Sequence, residues 1–298
     1  MGLFNGYMKE GPGVSKNEPE KHRFFLFFEL FGRKFSKLIQ LNLMLFVCLI
    51  PLLLGLYLSL SFNPSIIADG VVNTQALRTQ PLIVFSGDII GLAIYIIGLF
   101  IAGPAIAGFT YIIRNFQRQE HAWIFSDFKD NFKSNFKQAT TLAFIDTAVY
   151  FLLYVAFVFY TYQMPVTNPE MAQLAPLLTA VIAVITVIYT WMHYYLHVMM
   201  VTFDLKLKDM FRNALLFAIG KLPINLFITV VCGAIIFVSI YYNIIIGALA
   251  ALLITLSLIG YIVIFTVYPT IDSYLIQPVT AHDDDDDDIP DFSDEREE

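Results

Sequence analysis

Apolar residues run in long unbroken stretches along this 298-residue chain instead of alternating with polar ones. Six windows are long and apolar enough to cross a bilayer as helices, which takes about 20 residues for about 30 Å of hydrocarbon. They are residues 39–62, 89–113, 139–162, 177–203, 222–242 and 244–268. The runs lack the period-two alternation of barrel strands, so they predict helices. The last two windows together would overshoot a bilayer, and the Tyr242-Asn243 junction between them predicts a tight turn. The expected fold is an all-α membrane protein with a bundle of six transmembrane helices.

A second pattern precedes each odd-numbered window. Phe24, Phe27, Phe28, Phe31, Phe35 and Leu38 fall at helical spacing among Arg33, Lys34 and Lys37. Ile124, Phe128, Phe132 and Phe136 recur every four residues, interleaved with Lys129, Lys133 and Lys137. Leu207 and Phe211 sit four apart among Lys206, Lys208 and Arg212. A helix with aromatics on one side and cations on the other suits the membrane interface and anionic headgroups. The sharper reading is that it docks in a protein groove. Phe128, Lys129, Phe132, Lys133, Lys208, Phe211 and Arg212 are therefore candidates for lipid contact or partner docking. The strings Phe128-Lys129-Asp130-Asn131-Phe132-Lys133 and Leu207-Lys208-Asp209-Met210-Phe211-Arg212 suggest three repeats of a surface helix followed by a transmembrane hairpin.

Composition strengthens the membrane reading: 57% of residues are hydrophobic and 14% charged, against about a quarter charged in a soluble domain. Charge also sets an expected orientation. Sixteen of the 18 Lys and Arg residues fall before the first window, between the second and third, or between the fourth and fifth. By the positive-inside rule those segments and both termini are cytoplasmic. The net charge of -7 comes from residues 283–298, which hold 11 of the 25 acidic residues, and the rest carries 17 basic against 14 acidic residues. Six adjacent aspartates, 283–288, predict a solvated, disordered tail. Domain limits follow at 1–38 for a cytoplasmic segment with the first amphipathic helix, 39–268 for the membrane domain, and 269–298 for the tail. No signal peptide is expected, and the first apolar run serves as an uncleaved anchor. Cys48 and Cys232 each lie inside an apolar run, so no disulfide framework is expected.

Ionisable residues inside spans are costly and mark candidate sites. Counting from the window ends at 1.5 Å per residue, Asp146 and His197 lie at similar depth, with His193 one turn farther along the same face. Three readings fit them: interhelical hydrogen bonding that sets packing, a proton or substrate path, and a metal site. No HExxH motif or Cys ligand supports the metal, and none is expected. Small residues four apart, Gly103 with Ala107 and Gly247 with Ala251, predict close helix contacts. Pro51 and Pro104 predict kinks. No nucleophile triad, paired catalytic carboxylates, cofactor motif or nucleic-acid motif is present, so the chain is expected to be non-enzymatic and without a cofactor.

Several strings resemble the YesL-like family of multipass membrane proteins of Gram-positive bacteria, a domain of unknown function. They are Gly2-Leu3-Phe4-Asn5, Gly11-Pro12-Gly13-Val14, Lys16-Asn17-Glu18-Pro19, Gly103-Pro104-Ala105, Arg114-Asn115 and Ser126-Asp127-Phe128. The resemblance implies a bacterial cell-membrane location and a neighbourhood of carbohydrate permeases and polysaccharide-degrading enzymes. It carries no functional residues. The leading expectation is an accessory component of ABC-type carbohydrate transport that docks on a transporter subunit. The alternatives are a stand-alone transporter or flippase working through Asp146 and His197, and a scaffold that binds anionic lipid.

Single cysteines placed at Lys133 and Arg78 should react with a membrane-impermeant thiol reagent from opposite sides of intact vesicles. Labelling of both from one side would refute the expected topology.

Overall fold

The computed structural model describes residues 22–61, 67–68, 71–79 and 89–277. The N-terminal strings quoted above and the aspartate-rich tail lie outside the described residues. The elements in order are α1 (Arg23–Ser61), a two-residue antiparallel ladder of β1 (Ile67–Ala68) with β2 (Val71–Val72), α2 (Thr74–Thr79), α3 (Ile89–Gln117) and α4 (Ile124–Ser134). Then come α5 (Phe136–Val158), α6 (Met164–Thr167), α7 (Ala175–Met200), α8 (Leu207–Gly220), α9 (Leu222–Tyr242), α10 (Ile244–Ala250) and α11 (Leu256–Ile271). Six helical stretches are long and apolar enough to cross a membrane: Arg23–Ser61, Ile89–Gln117, Phe136–Thr167, Pro169–Met200, Leu222–Ser239 and Ile245–Ile276. The fifth and sixth part at Asn243, whose side chain accepts from the Ile245 and Ile246 N–H groups and starts α10.

The first two spans pack antiparallel, as their facing residues show. Gly55 of α1 lies against Tyr95 of α3, Gly98 against Leu52, and Gly91 against Ser59. α3 is the hub, packing on α1, α4, α5, α7 and α11. Its lack of side-chain bulk allows this. A Cβ at Gly103 would run into the Ala139 carbonyl, and one at Gly108 into that of Phe128. Pro51 and Pro104 both lie inside unbroken helices.

The three amphipathic stretches have different fates. The first is not a separate surface helix. Nothing between Arg23 and Ser61 interrupts the backbone, so the stretch continues directly into the span. Its Phe27 ring packs on Tyr261 and Phe265 of α11, while Phe24, Phe25 and Phe28 stay exposed. The second and third are separate helices, α4 and α8. α3 ends in a left-handed residue, Gln119 at φ 60°, and the Glu120 N–H donates to the Asn115 carbonyl at 2.8 Å, so the chain reverses into α4. The Asp127 carboxylate accepts from the Trp123 N–H and secures the start of α4. Phe128 is buried against Gly108 and Phe132 half-buried, whereas Lys129 and Lys133 are exposed. On α8 the buried residues are Met210, Ala214, Phe217 and Ala218; Phe211 is half-buried, and Lys208 and Arg212 are exposed.

Polar side chains deep in the bundle complete backbone groups that helix irregularities leave open. Between α10 and α11 the helix widens into a π turn, Ala251–Thr255. Asn42, fully buried on α1, donates to the Ala251 and Leu252 carbonyls at 2.9 and 2.6 Å and accepts from the Ser257 N–H at 2.8 Å. Asn225 of α9 donates to the Phe217 and Ala218 carbonyls in the last turn of α8 and accepts from the Tyr195 hydroxyl. Arg114 at the end of α3 donates to the Val201 carbonyl and Thr202 Oγ1 just beyond α7, its guanidinium lying 4.6 Å from the Tyr111 ring centre. Where such a group lies in hydrocarbon, as at Asn42, no water replaces its partner.

Asn42→Leu should therefore destabilise the fold by about 2 kcal/mol, the cost of orphaned backbone groups. Reversible unfolding in mixed micelles would measure it, and unchanged stability would show that the π turn satisfies itself.

Candidate functional site

Antiparallel packing of α5 on α7 decides which of the ionisable residues meet. Tyr150 pairs with Thr190 and, farther along, Thr161 with Thr179, so residue numbers on the two helices run in opposite senses. Asp146 in this register faces Tyr189 and His193. The Tyr189 hydroxyl donates to Asp146 Oδ1 at 2.7 Å. His193 Nε2 lies 2.8 Å from the same oxygen, a close electrostatic contact that does not meet the geometry of a hydrogen bond. His193 Nδ1 lies 2.8 Å from the Tyr189 carbonyl. The Tyr189 and His193 rings meet edge to face at 4.8 Å, and Tyr150 closes the cluster 5.9 Å from His193.

His197 does not meet Asp146. It packs one turn farther on, its ring 5.7 Å from that of His193. The reason lies in the register of the two helices, whose ends are not where the apolar windows put them. α5 starts at Phe136 and α7 stops at Met200, so each helix end is three residues away from its window limit. Asp146 is thereby about 15 Å from the start of α5, whereas His197 is only about 5 Å from the end of α7. The pairings of Tyr150 with Thr190 and Thr161 with Thr179 set a register that puts Asp146 level with His193 and Tyr194. Among the described residues no group of three or more His, Cys, Asp or Glu side chains is placed to hold a metal ion.

Asp146 has a second exposure. It borders a cavity of about 390 Å³ between α1, α3 and α5, together with Ser59, Tyr95, Thr147, Tyr150 and Tyr154. Ser59 and Tyr95 lie in the last turn of α1 and the first two turns of α3, so the cavity reaches from the end of the bundle opposite Lys37, Arg114 and Lys137 down to the carboxylate. The Ser59 hydroxyl is buried without a hydrogen-bond partner among the described residues. A carboxylate and hydroxyls set among tyrosine rings provide a few polar groups on an otherwise apolar wall, the usual make-up of a small-molecule site.

The sequence pointed to Asp146 and the two histidines because ionisable groups are conspicuous in apolar runs. Ser59, Tyr95 and Tyr154 carried no such signal: a serine or tyrosine is ordinary near a helix end, and only the α1/α3/α5 packing gathers them. The candidate contacts on the basic helices are dispersed: Phe128, Lys129, Phe132 and Lys133 border a groove on α4, while Lys208, Phe211 and Arg212 sit apart on α8.

Residues 82–157 match a family described as "Protein of unknown function, DUF624". The matched stretch covers α3, α4 and α5 nearly whole, and so includes Asp146 but not its partners on α7. No curated protein and no solved structure matches the chain.

Double-mutant cycles on folding stability should give a coupling of about 0.5–2 kcal/mol between Asp146→Asn and His193→Ala, as for residues in contact. The cycle of Asp146→Asn with His197→Ala should give a smaller coupling, because the two residues meet only through His193. Equal couplings would contradict this pairing.

Proposed function

We propose that this protein is a non-enzymatic membrane component of solute transport whose working centre is the Asp146–Tyr189–His193 cluster. One observation carries the reading: a single intramembrane carboxylate is shared between a tyrosine–histidine cluster and a cavity of about 390 Å³. A purely structural tie between α5 and α7 has no need of a cavity on its other side. A carboxylate beside an imidazole is suited to exchanging a proton, and one that also lines a cavity is suited to binding a solute's hydroxyl or ammonium donors. In the orientation expected from the positive-inside rule, the cavity mouth opens to the outer side.

The substrate class follows from the resemblance to the YesL-like family, whose neighbourhood is carbohydrate uptake. Tyrosine faces beside acceptor and hydroxyl groups suit a polyhydroxylated solute. A second reading, an accessory subunit docked on a sugar permease, is favoured by α8, where Lys208 and Arg212 are exposed. On that reading α8 rather than α4 carries the contact, because Phe128 is already engaged by α3.

In proteoliposomes loaded with a pH-sensitive dye, a panel of mono- and disaccharides should include at least one that moves protons with the wild-type protein. Asp146→Asn should reduce that signal to background while leaving the protein monodisperse. A flux unaffected by Asp146→Asn would refute the transport reading. Loss of a co-purifying permease on Lys208→Glu/Arg212→Glu substitution, with Asp146→Asn harmless, would instead establish the accessory role.

A further inference from the structure

α1 and α4 both lean on α3 but diverge from one another, leaving an open groove between them. Its walls are Leu43, Met44 and Val47 of α1 facing Phe125, Phe128 and Phe132 of α4. A second stretch of similar size continues it past Lys37 to the Trp123 turn, sharing Leu43, Met44 and Phe125. The two stretches hold about 590 and 580 Å³. Three cations, Lys37, Lys129 and Lys133, border the groove, and none of them forms an ion pair among the described residues. The two carboxylates of α4 stay out of it: Asp127 turns back to the Trp123 N–H, and Asp130 does not border the groove.

We infer that this groove binds an anionic glycerophospholipid from the leaflet at the basic end of the bundle, with an acyl chain against the apolar wall of α1 and the headgroup phosphate held by Lys129 and Lys133. Length supports the first half of the assignment. From Lys37 to Cys48 the groove follows α1 for roughly 16 Å, close to half of the about 30 Å hydrocarbon core, which is one leaflet. An apolar trough at that depth is filled by an acyl chain. Charge supports the second half, since Lys129 and Lys133, with no ion pair and no carboxylate in the groove among the described residues, complement a phosphate. Trp123, 70% exposed at the mouth, is a residue type that favours the headgroup level. The same site would explain why α4 keeps Phe125 72% exposed beside its lysines: the ring covers the lipid instead of the protein core.

The test uses the full chain purified in mild detergent and offered equimolar phosphatidylglycerol and phosphatidylcholine, with retained lipid read by native mass spectrometry. The wild type should retain phosphatidylglycerol preferentially. Each cation is worth about 1 kcal/mol near an anionic headgroup, so Lys129→Gln/Lys133→Gln should lower the preference about fivefold per lysine. A control with the same kind of change elsewhere, Lys206→Gln/Lys208→Gln/Arg212→Gln at the start of α8, should leave the preference intact. Val47→Trp keeps every charge but fills the groove, and because Val47 is 63% exposed the change spares the core; it should displace the lipid. Equal retention of both lipids by the wild type would overturn the assignment. So would equal loss in the α4 and α8 variants, which would mean diffuse attraction, or undiminished binding in Val47→Trp.

Discussion

Water is scarce inside a bilayer, so a backbone group that loses its partner there must find another in the protein, and that shortage governs how these helices are tied together. The widened turn before α11 opens carbonyls in the middle of a span, and Asn42, more than two hundred residues earlier, closes them. The end of α8 is completed from α9 by Asn225, and the end of α7 from α3 by Arg114. The Tyr261 hydroxyl on α11 donates to the Phe27 carbonyl on α1, and Arg23 donates to the Phe265 carbonyl, joining the first and last spans. Each of these bonds satisfies a local need while fixing a long-range neighbour.

The second constraint is steric and centres on α3. Helices in lipid gain little from burying apolar area against each other, so close packing of small residues takes over that role. Gly103 and Gly108 admit the Ala139 and Phe128 backbones, which brings α5 and α4 against the hub. Once α5 is seated, its contacts with α7 set the register, and the register delivers Asp146 to Tyr189 and His193. The cavity on the far side of Asp146 has the same origin. It is the space left where α1, α3 and α5 meet among tyrosines and the Ser59 hydroxyl.

Cations along the basic end serve the bundle in more than one way. Lys34 lies 5.0 Å from the Phe116 ring and Arg23 5.1 Å from the Phe265 ring, both paired with aromatic faces of the protein itself. Arg118 pairs with Glu120 in the turn that closes α3. Among the described residues Lys129 and Lys133 have no such engagement, because α4 turns its Phe128 edge to α3 and leaves the lysines beside the groove. Similar strings in α4 and α8 thus end in different surroundings.

What could be read from the chain itself was whatever depends on composition over a helical length. Six apolar runs, the break at Asn243, the basic segments between spans and the exceptional position of Asp146 all belong to that class, because transfer into hydrocarbon is summed residue by residue. The helical content and the six spans of the structure agree with it. Pairing between helices is of another kind. Whether Asp146 meets His193 or His197 depends on a register difference of one helical turn between α5 and α7, which window hydropathy does not resolve. The joining of the first amphipathic stretch to α1, the bonds of Asn42 and Asn225, and the gathering of Ser59 and Tyr95 around one cavity likewise depend on which helix lies beside which. Hydrophobicity decides that a segment enters the membrane; only the fit of small residues and the completion of broken hydrogen bonds decides its neighbours.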